Sequence, residues 1–263
     1  MADTQLSLEL DGAVARIMLS SEDGENLLDG RVARGLADAC EEISGREEVR
    51  AVILAAEGRT FSAGWDWRGL TVAAEGGSLV EAARAQGLPG DPFGCLGEMP
   101  RPVVCALNGD AAGGGLELAL ACDIRVAAEG ARFWFPEIGM GMLPLAGGVQ
   151  RLVRLVGRGN ALQMLLTGDP VDARAALAAG LAGAVVPGER LAAEAERIAA
   201  TIAERGPIAE AFAKEAVSRG IDMPLEQALR FETDLTIILQ TTEDRAEGVR
   251  AFLEKRKPQF KGR

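Results

Sequence analysis

Glu117 and Glu137 are the residues of this 263-residue chain whose type and setting suit proton transfer, because each is an acid placed in an apolar stretch. Glu117 lies among Leu116, Leu118, Ala119 and Leu120, and Glu137 lies within Phe133-Trp134-Phe135-Pro136-Glu137-Ile138-Gly139-Met140-Gly141-Met142. Such surroundings raise a carboxyl pKa towards neutrality, as an acid/base catalyst needs. The chain contains no His and no Tyr. A Ser-His-Asp or Cys-His relay and a His-ligated metal are therefore excluded, and general acid/base work falls to carboxylates, Lys or Cys. Each glutamate also has an ordinary explanation. Glu117 could be a first-turn acid favoured by the helix dipole, worth about 0.3–1 kcal/mol, and Glu137 an exposed loop acid after a strand.

Two small-residue segments could supply backbone donors to a ligand. In Asn108-Gly109-Asp110-Ala111-Ala112-Gly113-Gly114-Gly115-Leu116-Glu117-Leu118, three glycines fall where a strand ends and a helix begins. Glycine there lets a ligand approach the backbone, and the first N–H groups of a helix lack intrahelical partners. A tight strand-to-helix turn accounts for the glycines equally well. The run matches neither GxxxxGK[ST] nor GxGxxG. Phe61-Ser62-Ala63-Gly64-Trp65-Asp66-Trp67-Arg68 offers small residues after another strand, and taken alone it is an ordinary turn with tryptophans for core or interface.

The elements that must carry these segments follow from periodicity. Leu6–Leu10 and Ala13–Leu19 flank Asp11-Gly12, a hairpin signal. Val32, Leu36, Cys40 and Ile43 recur at helical spacing before the β-branched run Ala51–Ala55. Pro102–Leu107 and Asp123–Ala127 read as strands around a helix over Gly113–Ala121. Alternation of this kind predicts crossover connections and a largely parallel sheet buried on both faces. Beyond about residue 146 helices prevail, at 189–204, 207–219 and 224–254 with a break near 241–244, and Leu181–Val186 is the only later strand expected. Residues 70–100, rich in Gly and Pro, read as a mobile excursion. No 20–50 residue period stands out.

Composition narrows the partners. Lys and Arg number 28 against 39 Asp and Glu, a net charge of -11, so no basic face for nucleic acid or anionic lipid is expected. Cys40, Cys95, Cys105 and Cys122 show neither CxxC spacing nor the density of a disulfide scaffold. They read as small buried hydrophobes in a reducing compartment. No signal-peptide pattern opens the chain and no run of 18 apolar residues occurs, so the expectation is a cytoplasmic protein with no membrane segment.

Taken together, FSAGxD at 61–66, NGxAxGGGxELALACD at 108–123 and FxxPEIGMGMLPxAGGVQRL at 133–152 resemble the crotonase family, the enoyl-CoA hydratase/isomerase superfamily. TGDPVDARAALAAGLAGAVVP at 167–187 and FLEKRKPQFKG at 252–262 extend the likeness over nearly the whole chain. The resemblance implies an α/β fold with a ββα-spiral core and a helical C-terminal region, divided as 1–195 for the core with its CoA-thioester site and 196–263 for oligomerisation. It implies a homotrimer or dimer of trimers, an acyl-CoA thioester as substrate, and no cofactor beyond that CoA.

Position by position, the resemblance implies that the backbone N–H groups of Trp65 and Gly114 hold the thioester oxygen, where one donor is typically worth about 10² to 10³ in rate. It places Ala63 and Gly64 at the adenine side, Arg68 and Lys255 near CoA phosphates, and Gly113, Trp134 and Leu145 around the substrate. Both acids of the hydratases are matched, which implies hydration of a trans-2-enoyl-CoA to a 3-hydroxyacyl-CoA, with Glu117 mainly on water and Glu137 mainly on the Cα proton. Enoyl-CoA isomerisation by Glu137 alone and a catalytically silent acyl-CoA-binding scaffold are the alternatives. Trp65 is bulky where Ala is frequent, Trp67 is unusual, and Leu145 replaces a frequent Gly. These departures leave backbone donation intact and bear on the shape of the acyl pocket.

Overall fold

The computed structural model describes residues 3–68 and 90–263. Strands β1 (Gln5–Asp11) and β2 (Val14–Ser20) form the expected antiparallel hairpin, in register from Gln5↔Ser20 to Asp11↔Val14. Gly12 turns it at φ +58°, a left-handed conformation that costs glycine little. Helix α1 (Gly30–Ser44) starts where the Asp29 carboxylate accepts the N–H groups of Arg31 and Val32, and it buries Val32, Leu36, Cys40 and Ile43.

From there the chain repeats one motif. A long strand is followed by a bend and a short strand, and a helical segment closes the unit. The long strands β3 (Ala51–Ala56), β5 (Val103–Leu107), β7 (Ile124–Ala128) and β10 (Ala184–Val186) join the hairpin in one sheet ordered β1-β2-β3-β5-β7-β10, parallel from β2 onwards. The short strands β4 (Thr60–Ser62), β6 (Asp110–Ala112), β8 (Arg132–Trp134) and β9 (Val171–Asp172) make a second sheet in that order. Sequence periodicity does not announce this second sheet, because two or three residues are too few to display an alternation. It also corrects the expectation that Leu181–Val186 is the only late strand, since β9 pairs with β8. The repeat has no fixed length, which is why no period shows in the sequence.

The large sheet is buried on both faces, as its apolar runs require. Ala15, Ile17, Leu19, Val52, Leu54, Val103, Cys105 and Leu107 face α1, α2 (Gly94–Glu98) and α3 (Gly114–Leu120). Val14, Ala51, Ile53, Val104, Ala106 and Val126 face Leu191, Ala195 and Ala199 of α6 (Leu191–Ala203). Helix α6 runs continuously through residue 195, so a division after 195 falls within it. Between them lie α4 (Gly148–Thr167), interrupted at Gly157, and α5 (Ala173–Ala178). The chain ends with α7 (Pro207–Gly220), α8 (Leu225–Leu239) and α9 (Glu243–Glu254), the last starting on the Thr242 cap near the expected break. Lys214 anchors α7 to the core by donating to the carbonyls of Leu96 and Arg101 and to Asp123 at 2.9, 3.1 and 2.7 Å.

Most of the excursion expected at 70–100 lies outside the described residues. Its described end is not an excursion: Phe93, Leu96 and Met99 are buried in the cluster that holds Leu36 and Cys40. Glycine and proline mark the turns here, but the apolar side chains between them still have area to bury. Among the described residues no helix is long and apolar enough to cross a membrane.

Candidate active site

The strand β4 and the loop that leaves it are held against the Asn26 segment by hydrogen bonds from side chains. Asn26 is fully buried at φ +50°, and its Nδ2 donates to the carbonyls of Glu57 and Thr60 at 2.7 and 3.1 Å. Ser62 Oγ donates to the Asn26 carbonyl at 2.7 Å and accepts the Gly64 N–H at 3.2 Å. Gly64 has φ +103°, and a Cβ on it would lie 2.9 Å from the Ala112 carbonyl oxygen and 3.6 Å from the Gly114 nitrogen. The Gly64–Trp65 turn therefore abuts the Gly113–Gly114 turn, and this contact demands glycine.

Only part of the glycine triplet can serve a ligand. The Gly113 N–H donates to the Trp134 carbonyl at 3.0 Å because β6 and β8 pair there. Among the described residues the N–H groups of Gly114 and Trp65 donate to no backbone acceptor. Two adjacent free amides on rigid strand ends form a donor pair of the kind that stabilises a developing oxyanion.

The two glutamates meet beside these amides in different environments. Glu117, on α3, is fully buried; its Oε1 accepts the Ala146 and Gly148 N–H groups at 2.6 and 2.9 Å, and its Oε2 accepts Trp65 Nε1–H at 3.1 Å. Gly148 must be glycine, since a Cβ would lie 2.9 Å from Glu117 Oε1 and from the Phe135 ring. Glu137, on the 3₁₀ turn Pro136–Met140, is equally buried, yet neither of its carboxyl oxygens has a partner among the described residues. Its carboxyl crowds Gly113, where any Cβ would collide with it. Burial pushes the Glu137 carboxyl up from near 4.5 to about 7, with the Glu117 charge adding to the rise and its own backbone N–H opposing it. One carboxyl is held by three donors and the other by none among the described residues, an arrangement able in principle to orient a nucleophile with one acid and supply a proton from the other.

The raised carboxyl has a consequence for stability. A carboxyl lifted in the folded state contributes full stability below its unfolded value near 4.5, and that stability is lost as pH rises through about 7. Glu137→Gln removes the ionisation, so chemical denaturation should find the variant more stable than the parent at pH 8 by up to ~3 kcal/mol and nearly equal at pH 5. A gap that is the same at both pH values contradicts this account of Glu137.

The remaining expected residues are placed less uniformly. Leu145 is half-buried against the main core, next to the amide of Ala146 that holds Glu117. Trp134 is half-buried with Arg132 5.8 Å from its ring centroid, and its carbonyl rather than its ring reaches Gly113. The Ala63 N–H donates to the Glu25 carbonyl at 2.8 Å. Arg68 is exposed, with Nε and Nη2 donating to Asp66 at 2.8 and 2.7 Å. Lys255 is exposed at the C-cap of α9 with φ +56°, and its N–H bond to the Phe252 carbonyl is local. A surface cleft of about 940 Å³, lined by Arg151, Arg154, Lys214 and Asp222 among others, touches neither glutamate. Sequence reading misses Asn26 and the hydrogen bond from the Trp65 indole to Glu117. Asn is one of the few residues that visit left-handed backbone, but nothing local links an indole to a carboxylate 52 positions away.

The sequence model described as enoyl-CoA hydratase/isomerase matches residues 9–263. A short-chain-enoyl-CoA hydratase of Clostridium acetobutylicum is 36% identical over 266 residues, covering 97% of both chains. A crotonyl-CoA hydratase of Syntrophomonas wolfei is 36% identical over 261 residues, covering 99% of both. The crystal structure of an enoyl-CoA hydratase from Bacillus anthracis superposes with a TM-score of 0.89 at 37% identity, covering 98% of this chain and 99% of that one.

Proposed function

The chain belongs to the enoyl-CoA hydratase/isomerase family and is an enzyme of it, and we propose that it adds water reversibly across a trans-2-enoyl-CoA to give a 3-hydroxyacyl-CoA. The observation that carries this reading is the unlike state of its two buried acids, three N–H donors on Glu117 and none on Glu137. Hydration needs both roles at once. Water held on Glu117 attacks Cβ while its proton passes to that carboxylate, negative charge develops on the thioester oxygen between the Trp65 and Gly114 amides, and Glu137 delivers its proton to Cα. The proposed chemistry uses no cofactor beyond the CoA carried by the substrate.

A panel of trans-2-enoyl-CoAs followed at the enoyl-thioester absorbance tests the reading, with a 3-enoyl-CoA run beside it. Loss of the absorbance on adding water-competent enzyme supports hydration. Isomerisation of the 3-enoyl substrate with no hydration of any 2-enoyl substrate assigns the site to isomerase chemistry, and binding without either reaction assigns it to a scaffold.

The proposal extends to assembly as a homotrimer or a dimer of trimers. Apolar side chains of the last two helices stand in solvent in the single chain, with Phe252 82%, Ile237 60% and Val249 47% exposed, and such a patch calls for cover. In that arrangement Lys255 approaches the CoA phosphates of an adjacent subunit. Lys255→Ala should weaken CoA binding and lessen its salt sensitivity while kcat at saturation stays nearly intact, since exposed charges act over a Debye length of about 8–10 Å. A monomer in sedimentation at micromolar concentration that binds acyl-CoA normally contradicts the shared site.

A further inference from the structure

The Trp65 indole does more than fill the core. Its Nε1–H donates to Glu117 Oε2 at 3.1 Å, and its ring stacks on Phe93 with centroids 5.5 Å apart and planes 9° apart. The same ring lies against Gly114: a Cβ there would fall 2.5 Å from Nε1, 2.7 Å from Cε2 and 2.8 Å from Cδ1. Indole Nε1–H only donates, so the bond has one polarity and needs Glu117 as acceptor.

A carboxylate offers about four acceptor positions. Three on Glu117 are occupied, two by the Ala146 and Gly148 amides and one by Trp65. The position left is on Oε2, and the indole bond decides which way it points. The Nε1 edge of the ring thus lies against both Gly114 and Glu117, the groups at the two ends of the reacting enoyl group in the hydratase reading. In that reading an acyl chain running beyond Cβ passes close to the indole, and the stacked Phe93 ring holds the indole in place.

Resting on the hydratase reading, we propose that the Trp65 side chain is a positioning and specificity residue, which aims the one free acceptor site of Glu117 at the attacking water and limits the acyl space to short enoyl groups. Trp65→Phe keeps the stacked ring and removes the donor. It should lower kcat on crotonyl-CoA about ten- to a hundredfold, the loss of one hydrogen bond to a charged group, with KM within about twofold and the thermal midpoint little changed. Trp65→Ala opens the space and should raise kcat/KM for longer 2-enoyl-CoAs relative to crotonyl-CoA by about tenfold for every two methylenes admitted.

Wild-type hydration is measured first, so that failure of the functional reading is seen separately. Calorimetry with butyryl-CoA and octanoyl-CoA reads the acyl space without turnover and decides that part whatever reaction the wild type performs. Relative affinity for octanoyl-CoA should rise in Trp65→Ala and stay at the parental level in Trp65→Phe. Undiminished kcat in Trp65→Phe, or an unchanged chain-length ranking in Trp65→Ala, overturns the proposal.

Discussion

Glu137→Gln lowers kcat at least about 10²-fold and changes KM little, the lower range for removal of a general acid or base. The expectation rests on a carboxyl that is fully buried, unpartnered among the described residues and raised to about 7. Gln preserves shape and burial but carries no transferable proton. In the proposed reading the substrate thioester is held by backbone amides and not by this side chain, so binding is expected to survive. Stopped-flow or steady-state assay on the best substrate of the panel reads the effect. The parent's kcat/KM in the hydration direction should also fall as pH rises through about 7, where free Glu137 loses the proton that the proposed mechanism has it donate. Near-parental turnover in Glu137→Gln would remove this residue from the mechanism.

A comparable loss is expected at Gly114, where sterics and hydrogen bonding have to be separated. Any Cβ at this position falls 2.5 Å from the Trp65 indole nitrogen, so Gly114→Ala alone should damage the site by displacing the ring. In a Trp65→Ala background that collision is gone. There Gly114→Ala should turn over much as its background does, while Gly114→Pro should lose a further 10² to 10³-fold or so, the usual cost of one oxyanion donor. Proline has no N–H to donate, and it is tolerated at the first residue of a helix, which is where Gly114 sits in α3. Circular dichroism of both double variants should match. Equal turnover of the two would dismiss the Gly114 amide as a donor.

Much of this site is legible from residue order because its parts are local. The glycines at 113–115 mark a strand-to-helix turn, the acids sit at set distances from strand ends, and helical spacing locates α1 and the C-terminal helices. The second sheet escapes such reading, since β4, β6, β8 and β9 hold together through pairing between distant segments and not through their own patterns. The buried turn Phe93–Met99 escapes it for the opposite reason, since its Gly-rich composition signals a loop while its apolar residues still pack against α1.

By itself the sequence determined the chemistry open to this protein. With no His or Tyr, proton transfer is left to carboxylates, Lys or Cys, and two of the carboxylates stand in apolar runs. Which of the two carboxyls is held by three donors and which has none among the described residues was decided by the tertiary structure alone. Glu117 and Glu137 are the same residue in similar local settings, but the donors that meet Glu117 come from Trp65, Ala146 and Gly148, at 52, 29 and 31 positions' distance. The amide that could have answered Glu137 is turned elsewhere, the Gly113 N–H donating to the Trp134 carbonyl. Hydrogen bonding and desolvation depend on which groups arrive from far along the chain, and no local pattern of residues encodes that arrival.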